Sequence, residues 1–309
     1  MASTSGSVGA DGSPLPLAAS PLALAAALDA QGYLADEGLA TAAFLAVTMG
    51  RPLFLEGDAG VGKTALAQAL AAVIEVPLIR LQCYEGLDAS QALYEWDFPR
   101  QLLHLRAAEA AGITDADRLE AELYDRRFLI ARPLLQAVET SKPGRPAVLL
   151  LDEIDRADDE FEAFVLEVLS DFTISVPELG TVHAEAPPVV IVTSNRTREV
   201  HDALKRRCLY HWLDHPTYDR EVAILRRRLP EASERLVGDV ARVAQRLRTE
   251  DLVKPPGVAE SLDWTAALLA LGARDLNPDL AARSLGALLK YREDQEPGRG
   301  ILAAVLSSR

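Results

Sequence analysis

The chain has 309 residues, of which 49% are hydrophobic and 25% are charged. This length and composition allow one large or two modest domains with a sizeable core, and they exclude global disorder. The formal net charge of −14 argues against binding to bulk nucleic acid, because an acidic chain repels phosphate backbones.

The amino-terminal sequence and the cysteines bear on the location of the protein. No Lys or Arg precedes Arg51, and this argues against a signal or transit peptide, since both kinds contain basic residues. No unbroken apolar run approaches the ~20 residues of a membrane-spanning helix. Cys83 and Cys208 lie far apart in apolar stretches, which predicts buried reduced thiols rather than a disulfide framework or a zinc site. We therefore expect a soluble cytoplasmic protein with no membrane span.

Up to about residue 215 the chain alternates between helical and strand-like segments. Residues 1–20 are rich in Ser, Gly, Ala and Pro and predict a disordered tail. Strands are predicted at residues 53–55, 77–82, 147–151, 189–193 and 208–213. Helices are predicted at residues 22–31, 37–49, 65–76, 88–93, 100–111, 115–126, 132–140, 159–170 and 199–205. This alternation predicts an α/β fold with a five-stranded parallel sheet and helices on both faces.

Two segments interrupt this alternation. Residues 172–176 and 181–184 are β-prone runs separated by a turn, and Gly180 can supply a positive φ there, so we predict a hairpin over about 172–184. Before it, Tyr94, Trp96 and Phe98 stand at alternating positions. These aromatic side chains either pack into the core or form an exposed loop that grips a partner.

From residue 216 onward no strand pattern remains, and the sequence predicts an α-helical lid. Its helices are expected near residues 217–229, 231–249, 258–272, 279–292 and 297–306. We therefore predict an α/β core over 21–215 and a lid over 216–309.

The strongest motif is the glycine-rich loop that follows the first predicted strand. Residues 57–64 match G-x-x-x-x-G-K-[S/T] at every fixed position, between a strand and a strong helix former. The glycines let backbone N–H groups point at phosphate oxygens, and the following helix adds its positive end. Lys63 is expected on the β- and γ-phosphates and Thr64 on Mg²⁺, whereas the alternative is an ordinary glycine-rich turn. The predicted nucleotide-binding residues are Gly57, Asp58, Ala59, Gly60, Val61, Gly62, Lys63 and Thr64.

Polar residues end the next two buried strands. Asp152 is expected to hold Mg²⁺ together with Thr64, and Glu153 is expected to act as the general base on the attacking water. Asn195 ends the following strand, where it would lie level with Glu153 and orient the water or contact the γ-phosphate. Acidic residues and asparagine are also common where strands end, and this is the alternative interpretation.

Arg206 and Arg207 end the helix before the fifth strand. They either cap that helix or reach the nucleotide of a neighbouring subunit as an arginine finger.

Together these motifs make the chain resemble an AAA+ ATPase. GDAGVGKT, LLLDEID, VTSN and LKRRC, followed by a helical tail, carry this resemblance. The insert at about 88–99 resembles a helix-2 insert and the hairpin resembles one that precedes sensor 1, so the chain looks like a member of the MoxR family. LQCYEGLDASQALYEWDFPRQLLHLR is similar to the CoxD-like subgroup, which is linked to maturation of carbon monoxide dehydrogenase.

The resemblance implies residue roles and partners. Residues 57–64 would be Walker A, Asp152 and Glu153 Walker B, Asn195 sensor 1, and Arg207, with Arg206 next, the arginine finger. The lid departs from the family, since GVAESLDWTAAL has no arginine where a sensor-2 arginine is usual. The resemblance implies a hexameric ring that hydrolyses ATP with Mg²⁺, remodels a metalloenzyme client and has a partner with a von Willebrand A domain. The alternatives are a nucleic-acid motor and a nucleotide-dependent binding switch.

Overall fold

The computed structural model describes residues 19–113 and 115–307, so the predicted tail lies outside the described residues except for residues 19 and 20. The described residues divide into two compact units. One contains those up to Ala27, Asp36–Leu55 and Ala67–His211, and the other contains Leu28–Ala35, Glu56–Leu66 and the chain from Trp212 onward. The boundary expected near residue 215 stays a prediction.

The predicted five-stranded parallel sheet is confirmed. Its three central strands are buried along their whole length, as parallel strands are when helices cover both faces, whereas its two edge strands are only partly buried. The strands are β1 (Leu53–Gly57), β2 (Leu78–Gln82), β5 (Val148–Asp152), β8 (Val189–Ser194) and β9 (Leu209–Leu213). Their order in the sheet is β2-β5-β8-β1-β9. Gln82 is paired with Asp152 and Leu151 with Val192, so β2, β5 and β8 end at one edge of the sheet.

Helices precede and connect these strands. They are α1 (Pro21–Ala30), α2 (Glu37–Met49), α3 (Lys63–Ile74), α4 (Ala89–Leu93), α5 (Phe98–Ala110), α6 (Ala116–Leu123), α7 (Pro133–Thr140), α8 (Asp159–Asp171) and α9 (Asp202–Arg207). The prediction of a helix over 199–205 was wrong at its start. The backbone N–H of His201 donates to the carboxylate of Glu162, and the His201 side chain caps the helix at Ala203. These bonds keep residues 199–201 outside the helix.

Two small antiparallel sheets accompany the central one. The expected hairpin consists of β6 (Thr173–Val176) and β7 (Gly180–His183). The other pair, β3 (Tyr94–Trp96) and β4 (Leu129–Ala131), was not expected from the sequence.

This β3–β4 pairing separates the three aromatic residues. Tyr94 and Trp96 are half-buried against the main core, and the Trp96 ring stands edge-on to Tyr124 at 5.4 Å. Phe98 is 67% exposed at the start of α5. Tyr94 and Trp96 therefore pack against the core, whereas Phe98 faces solvent.

Five helices complete the second unit. They are α10 (Tyr218–Arg228), α11 (Glu234–Arg248), α12 (Val258–Ala270), α13 (Pro278–Ser284) and α14 (Arg292–Ser307). Trp264 on α12 is fully buried in their core, and its indole N–H donates to Ser284 at 2.8 Å. None of the helices in the described ranges has the length and apolar character to cross a membrane.

Two predictions in this region were wrong. The helix expected over 279–292 ends at Ser284 and continues only as a 3₁₀ turn, where the Lys290 ammonium caps the carbonyl of Ala287 at 2.7 Å. The last helix begins at Arg292 rather than 297 and includes Pro297, although proline cannot donate a backbone hydrogen bond. Asp294 in its first turn accepts two backbone hydrogen bonds from the loop at residues 253–254, and these fix the earlier start.

Candidate nucleotide site

The glycine-rich loop connects β1 directly to α3. Gly60 and Gly62 have φ values of +78° and +104°, which side-chain-bearing residues rarely adopt. A Cβ at Gly57 would overlap the carbonyl oxygen of Leu213. The loop can therefore follow this path only with glycine at these positions.

Lys63 lies inside this loop. Its side chain is buried, and the Nζ atom donates to the carbonyl oxygens of Gly57 and Asp58, both at 2.7 Å. The first turn of α3 contains no acidic residue that would compete for its positive end. An ammonium group and a helix amino terminus beside positive-φ glycines fit a phosphate group.

Residues from the carboxy-terminal part of the second unit surround the loop. The backbone N–H of Ala259 donates to the carbonyl of Gly60 at 3.1 Å. His215 lies 3.2 Å from the carboxylate of Asp58 through its Nε2 atom. A Cβ at Gly257 would approach the carbonyl oxygen of Ala59 to 2.7 Å. The backbone at the start of α12 thus packs on the glycine-rich loop.

Asp152 ends β5 and is buried. Its Oδ1 atom accepts a hydrogen bond from the Thr193 hydroxyl at 2.6 Å. Its Oδ2 atom accepts from the Arg80 guanidinium, at 2.6 Å from Nη2 and 3.0 Å from Nε. Asp152 is therefore held between neighbours on β8 and β2.

Glu153 follows Asp152 with a left-handed backbone, φ 57° and ψ 52°. Its Oε1 atom accepts from the side-chain amide of Asn195 at 3.0 Å, so the structure brings these predicted residues together. Its Oε2 atom is 3.0 Å from both Gln82 Nε2 and Arg156 Nε. Its backbone N–H donates to Thr193 at 2.9 Å. Both oxygens of the Glu153 carboxylate are therefore held by neighbouring donors.

The contacts of Arg80, Gln82, Arg156 and Thr193 were not predicted. Arg80 and Gln82 stand two positions apart on β2, and alternate residues of a strand face the same side. The register of β2 against β5 then places this side next to Asp152. Gln82 and Thr193 could have been predicted as Asn195 was, because polar residues near the ends of parallel strands meet at one edge of the sheet. The contact of Arg80 depends on the register of β2 against β5, which the sequence pattern does not contain.

The residues fit ATP and Mg²⁺ chemically. Thr64 and Asp152 offer a hydroxyl and a carboxylate, which are oxygen ligands suited to Mg²⁺. Within residues 19–113 and 115–307, no group of three or more His, Cys, Asp or Glu side chains is arranged to hold a metal. An Mg²⁺ ion that is also coordinated by nucleotide phosphates and water requires only one or two protein ligands.

Arg206 and Arg207 form the exposed end of α9. The carbonyl groups of Arg206, Arg207 and Cys208 accept hydrogen bonds from Arg51, at 2.8, 3.1 and 3.3 Å. Thus Arg51 caps this helix end. Within the described ranges, the structure records no ion pair for the side chains of Arg206 and Arg207.

The predicted thiols are buried and free. Burial, together with the nearby carboxylates of Asp152, Asp155 and Glu153, raises the pKa of Cys83 to about 12. Burial likewise raises the pKa of Cys208 to about 12. Both sulfur atoms are therefore unsuited to nucleophilic chemistry at neutral pH.

The RuvB Holliday junction branch migration motor of Thermotoga maritima resembles this chain in structure. The two sequences are 16% identical, and the TM-score is 0.44. The aligned region covers 76% of this chain and 61% of the RuvB chain. A single-substitution variant of the same protein is 17% identical, with 88% of this chain and 70% of the other covered and a TM-score of 0.47. This chain thus spans about three fifths of the first RuvB structure. No curated protein matches the sequence.

A model of the AAA domain (dynein-related subfamily) matches residues 52–208, slightly more than half of the chain. The match runs from the residue before β1 to the residue after α9. It includes the glycine-rich loop, Asp152, Glu153, Asn195 and the two arginines. The chain therefore belongs to the AAA domain family, dynein-related subfamily, and has the P-loop AAA+ fold.

Proposed function

We propose that the protein binds ATP with Mg²⁺, hydrolyses it, and uses the cycle to remodel a protein client. The observation that carries the proposal is the placement of Glu153, whose carboxylate is fixed by Asn195 and Gln82 beside the buried Asp152. Membership of the AAA family and the complete glycine-rich loop support nucleotide as the ligand.

The proposal gives each group a role. The backbone N–H groups of residues 57–64 and the ammonium of Lys63 bind the phosphates, and Thr64 with Asp152 holds Mg²⁺. When bound, Mg²⁺ neutralises charge on the β- and γ-phosphates. Glu153 accepts a proton from the water whose oxygen attacks the γ-phosphorus, while the bond to the β–γ bridging oxygen breaks. Asn195 orients Glu153 and this water.

We propose that the active unit is a homo-oligomeric ring, with six subunits as in the MoxR proteins that the sequence resembles. Arg206 and Arg207 are exposed, and Arg51 already caps their helix. Their guanidinium groups are therefore available to a neighbouring subunit, where a planar group can contact two phosphate oxygens at once. Arg207 is the preferred finger and Arg206 is the second choice.

The client and the location are proposed from the resemblance. The segment over 81–106 and the hairpin over about 172–184 support a MoxR-type, CoxD-like chaperone for a metalloenzyme, with a von Willebrand A domain partner in the cytoplasm. We further propose that 21–215 acts as the nucleotide-binding core and 216–309 as the lid.

Phosphate release from ATP by the purified protein tests the proposal. We expect steady, Mg²⁺-dependent turnover by the unmodified chain. Glu153→Gln should bind ATP but stop hydrolysis, because an amide cannot accept the proton. Asp152→Asn should instead raise the Mg²⁺ concentration required. Glu199→Gln, an exposed carboxylate after β8, is the matched control and should leave turnover unchanged.

Two outcomes would contradict the proposal. Hydrolysis by Glu153→Gln at the parent rate would place the base elsewhere. Tight ATP binding without turnover by the unmodified protein would identify a binding switch instead of an ATPase.

A further inference from the structure

The acidic residue two positions after Glu153 has a separate task. We propose that Asp155 is a positioning residue, which fixes the backbone of Asn195 so that the Asn195 amide holds Glu153 in its reactive orientation. The inference rests on the proposed ATPase function and extends it to a residue outside the proposed ATP and Mg²⁺ contacts.

Asp155 is buried in a 3₁₀ turn after β5, with 2% of its surface exposed. Its Oδ1 atom accepts from the backbone N–H of Asn195 at 3.2 Å. Its Oδ2 atom accepts from the backbone N–H of Thr197 at 2.8 Å and from the Thr197 hydroxyl at 2.7 Å. A carboxylate is costly to bury without such donors, and here one carboxylate gathers three of them.

These bonds tie together the two loops that carry the reactive groups. Asp155 belongs to the loop after β5, and Asn195 begins the loop after β8. The side chain of Asn195 returns to the first loop, where its Nδ2 atom donates to Glu153 Oε1 at 3.0 Å. Asn195 is therefore held at its backbone by Asp155, while its amide holds Glu153.

The backbone between the two anchored residues needs this restraint. Arg196 lies between Asn195 and Thr197 and has a positive φ of 57°, an uncommon conformation for a side-chain-bearing residue. Without a fixed acceptor on Asp155, the loop can relax from this conformation, and the Asn195 side chain moves with it.

The far end of the same loop has its own anchor. Glu162 on α8 is 1% exposed, and it accepts from the Arg198 guanidinium and from the backbone N–H of His201, the latter at 2.7 Å. Loss of Asp155 would therefore release residues 195–197 while residues 198–201 remain attached. The loop after β8 is therefore anchored by two buried carboxylates, of which Asp155 holds the residue that contacts Glu153.

A double-mutant cycle between Asp155 and Asn195 tests the inference. Asp155→Asn keeps the size of the side chain but presents an NH₂ group to donors on Thr197. We expect kcat to fall ~10-fold while KM changes little, and the melting temperature to fall because buried hydrogen bonds are lost. In the Asn195→Ala background, Asp155→Asn should lower kcat less than ~2-fold, because its effect passes through Asn195.

Glu162→Gln is the control, and any effect it has on kcat should add to that of Asn195→Ala. Thr197→Val serves as a second variant on the other side of the bond, in case Asp155→Asn does not fold, and it should lower kcat in the same direction. Hydrogen exchange at the Asn195 and Thr197 amides should accelerate in Asp155→Asn but not in Glu162→Gln.

The outcomes separate this inference from the function on which it rests. An unmodified chain without ATPase activity would overturn the proposed function and this role of Asp155 together. An active chain in which the effects of Asp155→Asn and Asn195→Ala add fully would overturn only the role of Asp155. An unchanged kcat in both Asp155→Asn and Thr197→Val would do the same.

Discussion

The side-chain amide of Asn195 lies 3.0 Å from the carboxylate of Glu153, although 42 positions separate the two residues in the chain. The other carboxylate oxygen is held by Gln82 and Arg156. Glu153 is thus oriented by groups from β2, from the loop after β8 and from its own loop. Such an arrangement reduces the reorganisation that the reaction requires.

Lys63→Ala should abolish tight ATP binding. The ammonium is buried against two loop carbonyl groups, and alanine would leave the phosphates without the nearby lysine cation. We expect a loss of roughly 2–5 kcal/mol in binding free energy, measured by nucleotide titration. Lys142→Ala, an exposed lysine before β5, should bind ATP normally. Unchanged affinity in Lys63→Ala would refute the phosphate role of the loop.

Arg207→Ala should bind ATP nearly normally and lose roughly 10³-fold in turnover, because charge on the γ-phosphate would lack its guanidinium partner. Phosphate release per subunit should rise with protein concentration as subunits assemble. A mixture of Arg207→Ala and Lys63→Ala should recover activity, since each variant supplies the part that the other lacks.

Arg283→Ala, an exposed arginine on α13, is the control for the finger experiment and should retain full turnover. Specific activity that is independent of concentration, with an inactive mixture, would show that catalysis is not shared between subunits. The same assays on Arg206→Ala decide which of the two arginines is the finger.

Phe98→Ala should leave the melting temperature unchanged, because Phe98 is 67% exposed. Trp96→Ala should cost about 1–3 kcal/mol of stability, because its ring packs against Tyr124 and the main core. Thermal unfolding of both variants measures this difference.

If Phe98 contacts the client, Phe98→Ala combined with Glu153→Gln should retain less client in pull-downs with ATP than Glu153→Gln alone. Equal retention would exclude Phe98 from the contact.

His215 should make the stability of the protein depend on pH. Burial lowers the pKa of His215 below its ordinary value of 6.5, and Arg248 lowers it further, whereas Asp58 raises it. The unfolded chain then binds the proton more readily, so the free energy of unfolding should fall as pH drops through about 6.5. The fall should level off below the pKa of the folded state.

Urea unfolding of the parent and of His215→Gln at about pH 7.5 and about pH 5.5 measures this contribution. The variant should lose less stability on acidification than the parent, because carboxylates titrate in both proteins and only the parent carries this imidazole. Equal losses would show that His215 does not couple to folding.

The long apolar runs made the central sheet predictable, since strands such as Val148–Asp152 are buried along their whole length. The proximity of Asn195 and Glu153 was also predictable, because both follow parallel strands whose ends share one edge. The β3–β4 pair was not, because strands of three residues leave little periodicity and the paired residues lie far apart in the chain, as Tyr94 does from Ala131 and Trp96 from Leu129. The role of Arg80 depends on register, which the pattern of single strands does not contain.

The left-handed backbone of Glu153 has a consequence for the evolution and engineering of this protein. A side-chain-bearing residue at φ 57° costs free energy that glycine would not, on the order of 1 kcal/mol. Glycine at residue 153 would remove this backbone cost, and it would also remove the carboxylate held by Asn195 and Gln82. Because that carboxylate is the proposed general base, a stabilised version of the chain must leave residue 153 unchanged to keep the proposed activity.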